Sequence, residues 1–240
     1  MSVLIFLAIL VAVGALAYVA YRAKQRRREE LALFAFQHGM QFSHDDPYDL
    51  TSHDFRLFQL GDGRGCENVM AGTWQDLPVK EADYWYYTES SDSKGQRTRT
   101  YHRFSVVLAE MGCTLPHVSV EKENVLSWVA GHLGFHDIEF ESEEFNRMFT
   151  VKAKDQQFAF ELLDARMIKW LQSTGGQFGF EVSGQGLLVW SGRRRARELV
   201  PLFGCATMFC DHIPRLVWNQ YGTTRARPDG PGEAGGRSSS

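Results

Sequence analysis

The sequence predicts an α+β fold, in which an N-terminal transmembrane helix is followed by a cytoplasmic domain of antiparallel strands packed by helices. Residues 2–21 carry no charged side chain over 20 positions. Segments between residues 67 and 121 are rich in β-branched and aromatic residues, which favour strands. From residue 123 onward, apolar residues recur at helical spacing between short strand-like segments.

The membrane anchor is predicted at residues 1–21. At about 1.5 Å rise per residue, a helix over 2–21 spans about 30 Å, the thickness of the hydrocarbon core of a bilayer. Tyr18 and Tyr21 lie at its C-terminal end, where interfacial aromatic residues are enriched. A cleaved signal peptide is the alternative, because "ALA" at 15–17 resembles a cleavage site. However, no basic segment precedes the apolar run, and basic residues follow it directly.

The orientation follows from those basic residues, which lie in "RAKQRRR". Positively charged residues beside a transmembrane helix stay on the cytoplasmic side. We therefore expect a single-pass protein of the plasma (inner) membrane, with its N-terminus outside and its C-terminal domain in the cytoplasm. In that compartment the four cysteines, Cys66, Cys113, Cys205 and Cys210, are expected to be reduced.

The rest of the chain divides into three parts. Residues 22–40 are predicted to form a basic juxtamembrane helix that ends near Gly39. Its apolar residues Leu31, Leu33, Phe34 and Phe36 are expected to pack on the domain. Residues 41–222 form the soluble α+β domain, either as one unit or as subdomains 41–122 and 123–222. Residues 223–240 contain no apolar residue beyond Ala and are predicted to be disordered.

The soluble domain begins with a predicted antiparallel meander, whose first turn is a tight hairpin at "QDLP". Its strands are expected at 67–74, 79–88, 98–111 and 115–121. Helices are expected at 123–134, from Ser142, at 156–174 with a break near Asp164, and at 196–221 with a kink at Pro201 and a break before Pro214. Further strands are expected at 136–140 and 148–155, and as a hairpin over 176–191 turning at 183–186.

The segment "FESEEFNRMF" (140–149) places three glutamates within four residues. An acid/base pair is one interpretation, but the start of a helix explains every residue. Ser142 is a suitable N-cap, Glu143 and Glu144 fall in the first turn, and Glu143 can pair with Arg147 four residues later. We therefore predict a structural role for this segment.

A second basic cluster lies in "SGRRRAR", between a strand and a helix. It is interpreted as a contact with anionic lipid, at about 1 kcal/mol per basic residue near the surface, as an anion site at the following helix, or as a solvated turn. With the juxtamembrane residues it gives the predicted lipid-binding set: Arg22, Lys24, Arg26, Arg27, Arg28, Arg193, Arg194 and Arg195.

Other binding chemistry is not indicated. His132 and His136 have the spacing of two zinc ligands, but Gly134 interrupts the helix and no third ligand is evident, so no metal site is predicted. The aromatic run "DYWYYT" (83–88) could stack bases, but its acidic neighbours and the net charge of −3 oppose a nucleic-acid partner. The motifs of serine hydrolases, phosphate-binding loops and dinucleotide sites are missing, so we predict no catalytic residues and no cofactor.

The stretch "ESEEFNRMFTVKAKDQQFAFELLDARMIKWL" (141–171) resembles the signature of an uncharacterised actinobacterial family of single-pass membrane proteins that carry a domain of unknown function. "ENVMAGTW" and "YHRFSVVLAEM" resemble the same group, so the resemblance covers residues 22–221. It implies one N-terminal transmembrane helix and supplies no catalytic residues.

We therefore expect a membrane-tethered cytoplasmic interaction or scaffold module without enzymatic activity, whose partner is a protein or anionic lipid. The alternative is a small-ligand sensor or an enzyme whose site is assembled only in three dimensions. A deep pocket lined by His102, His132, His136 or the glutamates would favour that alternative.

Overall fold

A computed structural model of the protein describes residues 2–92, 95–122 and 135–222. The segments predicted as anchor and juxtamembrane helix form one continuous helix, α1 (Ser2–Gln37), which is long and apolar enough in its N-terminal part to cross a membrane. The predicted arrangement of an apolar N-terminal helix followed by an α+β domain is confirmed. The helix predicted over 123–134 and the tail over 223–240 lie outside the described residues.

Helix α1 ends where the sequence predicts, at a glycine in the left-handed conformation. Gly39 has φ +69°, and its N–H donates to the carbonyl of Phe36 at 3.2 Å. The N–H of Met40 donates to the carbonyl of Ala35 at 2.8 Å. This pair of bonds is a Schellman cap, which favours glycine because a side chain is strained at this φ.

In the described part of the chain, a seven-stranded antiparallel sheet forms the centre of the domain. Its order is β1-β2-β3-β4-β6-β5, and β7 pairs with β4 outside this path. The strands are β1 (Gln41–Ser43), β2 (Gly63–Trp74), β3 (Leu77–Ser91), β4 (Arg97–Lys122), β5 (His136–Ile138), β6 (Phe149–Ala153) and β7 (Gly179–Gly192).

Strand β4 organises this sheet, because its 26 residues pair with β3, β6 and β7. The two strands predicted at 98–111 and 115–121 are therefore one. The hairpin predicted at "QDLP" is confirmed: Gln75 and Asp76 have φ of 48° and 65°, as a two-residue turn with both residues left-handed requires.

The hairpin predicted over 176–191 is wrong, because β7 is a single strand that runs antiparallel to β4. Gly184 does adopt a left-handed φ of +58°, as a turn residue would. The register between the two strands shifts on either side of Leu115, which pairs with Gly184. The glycine therefore accommodates an irregularity within the strand and does not reverse the chain.

Within residues 135–222 the structure describes five shorter helices: α2 (Glu143–Met148), α3 (Gln156–Leu162), α4 (Ala165–Ser173), α5 (Val200–His212) and α6 (Arg215–Tyr221). The predicted N-cap is confirmed, since Ser142 Oγ accepts the N–H of Phe145 at 3.2 Å. The breaks near Asp164 and before Pro214 are also confirmed. The predicted kink at Pro201 is wrong, because this proline lies in the first turn of α5, where its missing N–H costs no helical bond.

The sheet carries a hydrophobic cluster on each face. Leu31 and Phe34 of α1 belong to the larger cluster, together with Val79 of β3 and Phe203 of α5. The smaller cluster includes Tyr84 of β3. Odd-numbered residues of β3 therefore face α1, whereas even-numbered residues face the smaller cluster.

Two of the four apolar residues expected to pack from α1 do not do so. Leu33 is 56% exposed and Phe36 is 82% exposed. The docked stripe runs instead through Leu31, Phe34 and Ala35.

Candidate functional site at the junction of the anchor and the sheet

The junction between α1 and the sheet is built on a buried ion pair between Arg27 and Asp83. Arg27 Nε donates to Asp83 at 2.6 Å, and Arg27 Nη2 donates to the second carboxylate oxygen. Arg27 Nη1 also donates to the carbonyl oxygen of Arg194 at 2.8 Å. The two paired side chains are only 14% and 4% exposed. One arginine therefore joins α1 to β3 and to the loop after β7.

Two further side chains complete the surroundings of Asp83. Arg193 Nη2 lies 3.2 Å from its carboxylate, and Asn68 Nδ2 donates to it at 2.9 Å. Asn68 occupies an irregularity in β2 with φ +56°, a conformation that asparagine tolerates better than most residues. This irregular backbone turns the amide of Asn68 towards the ion pair.

Opposing influences set the pKa of Asp83. Burial would raise it, but the hydrogen bond and charge of Arg27, together with Arg193 and Asn68, lower the pKa below its ordinary value. The carboxylate is therefore ionised over the whole physiological range. Burial alone would lower the pKa of Arg27, but Asp83 raises it, so the pair is a stable charge pair.

Glu81 is an ionisable group of the junction whose hydrogen-bonding capacity is left unused by the described part of the chain. It lies two residues before Asp83 on the same face of β3, is fully buried, and neither carboxylate oxygen has a hydrogen-bond partner among the described residues. Burial raises its pKa well above the ordinary value, and the charge of Asp83 raises it further. The neutral, protonated form is therefore favoured in the folded protein.

A second ion pair lies nearer the apolar N-terminal part of α1. Lys24 Nζ is 2.8 Å from Glu67, the residue of β2 that pairs with Asp83 across the ladder. The Lys24 side chain is half exposed, so this pair contributes little to stability. The pair does, however, locate the domain along α1, because it shows that the domain contacts the helix only three residues after Tyr21.

The structure divides the predicted juxtamembrane lipid set into two groups. Arg22, Lys24 and Arg26 are exposed, whereas Arg27 and Arg28 are partly buried. Because Arg27 is bonded within the protein, it is held away from lipid. Lipid contact by the exposed residues stays a prediction.

The predicted lipid residues after β7 are also not equivalent. Arg193 lies on Asp83, and Arg194 donates from Nε to Ser191 Oγ at 2.7 Å while its guanidinium lies 4.8 Å from the centre of the Phe178 ring. Arg195 is exposed. The cluster therefore includes two residues with internal partners, and lipid contact stays a prediction for it as well.

A cleft of about 440 Å³ lies between the end of α1 and this arginine-rich loop. The exposed Leu33 contributes to it from α1, and Arg195 and Arg197 contribute from the loop. Phe36, the most exposed large apolar residue of the described chain, lies on the same turn of α1. The junction thus combines a rigid ion-pair network with an adjoining apolar surface that has a basic edge.

A separate polar network is enclosed in the sheet. Arg56 Nη1 donates to Glu121 at 2.7 Å, Glu181 accepts the backbone N–H of Arg56 at 2.6 Å, and His117 Nε2 contacts Glu181. Each of these side chains is at most 6% exposed. Burial raises the pKa of Glu121, against the charge of Arg56. The network ties β4, β7 and the 3-10 turn Arg56–Gln59 together.

The histidines proposed to line a pocket are not brought together. His102 stacks on Tyr86 with ring centres 4.6 Å apart, whereas His136 lies on β5 at the edge of the sheet. His132 lies outside the described residues. No group of three His, Cys, Asp or Glu side chains suited to a metal occurs in the described part of the chain.

Neither buried charge cluster was predicted from the sequence, although a signal for the acids of β3 was present. Glu81 and Asp83 alternate with Ala82 and Tyr84 on β3, and two-residue periodicity places both acids on one face. A strand with acids on a face that must be covered requires partners of opposite charge. The partner of Asp83 comes from α1, and the sequence provides no indication of that contact.

Comparisons with known proteins give a likeness of fold. No protein-family model matches the sequence, and no curated protein matches it. Among solved structures, the crystal structure of the mycobacterial trehalose monomycolate transport factor A, TtfA, is similar with a TM-score of 0.58 and 12% sequence identity. The match covers 78% of this chain and 96% of that chain. The two chains share a fold.

Proposed function

We propose that this chain is a membrane-tethered, non-enzymatic interaction module, whose sheet domain is held against its own anchor at the cytoplasmic face of the plasma membrane. The observation that carries this proposal is the buried pair of Arg27 and Asp83. A flexible tether would let the domain turn freely, whereas this pair fixes its orientation to the membrane helix. A fixed orientation is useful when one surface must meet a partner in the same membrane.

The surface that we assign to a protein partner is formed by Leu33 and Phe36 beside the cleft at Arg195 and Arg197. Phe36 lies 15 residues beyond Tyr21, which corresponds to about 22 Å along the helix axis. This distance places it well below the headgroups if α1 stands upright, so lipid is a poor occupant. An exposed apolar site with a basic edge suits a protein segment with apolar and acidic residues.

The residues that we assign to anionic lipid are the exposed ones nearest the membrane, Arg22, Lys24 and Arg26. Each contributes about 1 kcal/mol when it lies near an anionic surface, and this attraction falls off over a Debye length of about 8 Å. Arg195 lies beside Glu30 and Leu33 of α1, which are about 14 Å and 18 Å beyond Tyr21 along the helix axis, so it lies outside that range.

The fold shared with a protein described as a trehalose monomycolate transport factor supports a role in the movement of a lipid at the membrane. We infer that this chain is an accessory component of such a process, in which the transport step itself belongs to the protein partner.

Photo-crosslinking in cells that make the protein naturally tests the assigned surface. A benzoylphenylalanine at position 36 should form a covalent adduct with a membrane protein. The same group at Thr73, which is exposed and lies on β2 next to Trp74, serves as the matched control and should not form that adduct. Absence of an adduct at position 36, or the same adduct at both positions, would contradict the proposal.

A further inference from the structure

The outer end of the β3–β4 hairpin carries an aromatic and basic face, on which Arg99, Tyr101 and Arg103 are exposed and Trp85 and Tyr87 are half-buried. We infer that this face, formed by Trp85, Tyr87, Tyr101, Arg99 and Arg103, is a second membrane contact and lies against the anionic headgroups of the bilayer that α1 crosses. This inference rests on the proposed function, because it requires α1 to span that membrane.

Two contacts at different positions along α1 fix the direction of the strands relative to the anchor. Lys24 contacts Glu67, and His38 lies against Trp74 with ring centres 5.2 Å apart. The helix advances about 21 Å between Lys24 and His38, and β2 advances about 23 Å between Glu67 and Trp74. The similar lengths show that α1 and β2 run side by side in the same direction.

Because β2 runs away from the membrane beside α1, the antiparallel β3 runs towards it. Asp83 lies level with Arg27, which is about 9 Å beyond Tyr21 along α1. Tyr87 lies four residues nearer the membrane than Asp83, which is about 13 Å along a strand. The ring of Tyr87 therefore reaches the level of Tyr21, where the headgroups of the bilayer begin.

The face that reaches this level is the one on which the anchor lies. Trp85 and Tyr87 have odd numbers, as do Glu81 and Asp83, so all four project from the same side of β3. Across the ladder, Trp85 pairs with Arg103 and Tyr87 pairs with Tyr101. The hairpin thus extends the anchor-bearing face of the sheet towards the membrane, beside the point where α1 enters it.

The chemistry of this face suits a lipid interface. Trp85 and Tyr87 stack with ring centres 6.3 Å apart, and Tyr101, which is 45% exposed, lies 5.5 Å from Tyr87. Arg99 lies 4.5 Å from the centre of the Tyr87 ring, and Arg103 lies 5.2 Å from that of Tyr101. Tryptophan and tyrosine are enriched at the level of the headgroups, and arginine adds attraction to anionic lipid.

The charge of the hairpin end is also of the required sign. Residues 84–91 and 97–103 contain three arginines, Arg97, Arg99 and Arg103, and one acid, Glu89. Glu89 pairs with Arg99, whose Nε donates to it at 2.7 Å, whereas Arg97 lies 3.9 Å from Glu89 and remains 80% exposed. A net positive aromatic surface placed at the level of the headgroups is complementary to an anionic leaflet.

Fluorescence quenching in lipid nanodiscs tests this contact on the full-length protein. A dye is attached to a cysteine introduced at Ser90, near the outer end of β3, and the lipids carry a nitroxide on their headgroups. Thr73→Cys, at the opposite end of β2, is the matched control. Ala23→Cys, directly after the anchor, reports whether α1 is inserted.

In anionic nanodiscs we expect the Ser90 dye to lose most of its fluorescence while the Thr73 dye keeps it. Absence of quenching at Ser90, with the Ala23 dye quenched, would overturn the hairpin contact and leave the proposed function standing. Absence of quenching at Ala23 would overturn the anchor itself. Equal quenching at Ser90 in neutral and anionic nanodiscs would overturn the recognition of anionic headgroups.

Discussion

Replacing Arg27 by alanine tests the junction most severely, because it leaves Asp83 buried without its main partner. From the described residues, four hydrogen bonds reach the Asp83 carboxylate: two from Arg27, one from Arg193 and one from Asn68. The variant therefore removes half of them, together with the bond from Arg27 to the carbonyl of Arg194.

The size of the effect follows from these contacts. Removing one partner of a buried ion pair costs about 3–5 kcal/mol, since the remaining charge stays desolvated. Because Arg193 and Asn68 remain on the carboxylate, we expect the lower end of that range, about 3 kcal/mol. With a urea dependence of about 2–3 kcal/mol per molar, the unfolding midpoint should fall by about 1 M or more.

Urea unfolding of the full-length protein in detergent, followed by tryptophan fluorescence, measures this change. Arg26→Ala is the matched control, because Arg26 is exposed, has the same side chain and makes no ion pair among the described residues. We expect its free energy of unfolding to stay within about 0.5 kcal/mol of the parent value. A cost of under about 1 kcal/mol for Arg27→Ala would refute the proposed role of the buried pair.

A double-mutant cycle separates the pair from other effects of the substitution. Asp83→Asn removes the charge that Arg27 neutralises, so the combined variant should lose less stability than the two single losses added together. Strict additivity would show that the two side chains do not act on each other.

Three further predictions concern single residues. Burial raises the pKa of Glu81 in the folded protein above its value of about 4.3 in the unfolded chain. The protonated Glu81 therefore contributes its full stabilisation below a pH of about 4.3, and this stabilisation is lost as the pH rises through the folded-state pKa. Glu81→Gln should therefore be more stable than the parent at neutral pH, and a urea series should show this advantage shrinking towards pH 4; a constant advantage would contradict it. Phe34→Ala should lower the free energy of unfolding by about 3–5 kcal/mol, because the Phe34 ring is buried against Phe203. Phe36→Ala should lower it by less than about 0.5 kcal/mol, because Phe36 is exposed. Similar losses of stability for the two variants in thermal unfolding would show that the docked face of α1 is misassigned. Ser142→Ala should cost about 1 kcal/mol through the lost cap of α2, and Ser142→Asp, which keeps a capping oxygen, should restore the melting temperature if that reasoning is correct.

Much of the fold could be predicted because its signals are local. The apolar run of α1, the glycine at its end, the cap at Ser142 and the helix break near Asp164 each depend on a few neighbouring residues. The path of β7 could not be predicted in the same way. A glycine with a left-handed φ occurs both in turns and in strand irregularities, and only pairing with β4 decides between them.

The face of α1 that packs on the domain could not be predicted from local signals either. Leu31, Leu33, Phe34 and Phe36 fall on two sides of a helix, and sequence alone does not choose between them. The contacts of Lys24 and Arg27 set the choice, because helical spacing places both on the side of Leu31. The basic run was interpreted as a membrane signal, so its second use, as a set of contacts to the sheet, was not expected.

Cysteine labelling in intact cells tests most directly whether the domain lies on the cytoplasmic side of its anchor. The native thiols are poor probes, since burial raises the pKa of Cys205 to about 11 and that of Cys210 to about 12. Thr73→Cys is exposed and provides a reactive site, with the parent chain as background. We expect a membrane-impermeant maleimide to label it only after the membrane is permeabilised. Labelling in intact cells would contradict the cytoplasmic placement of the domain.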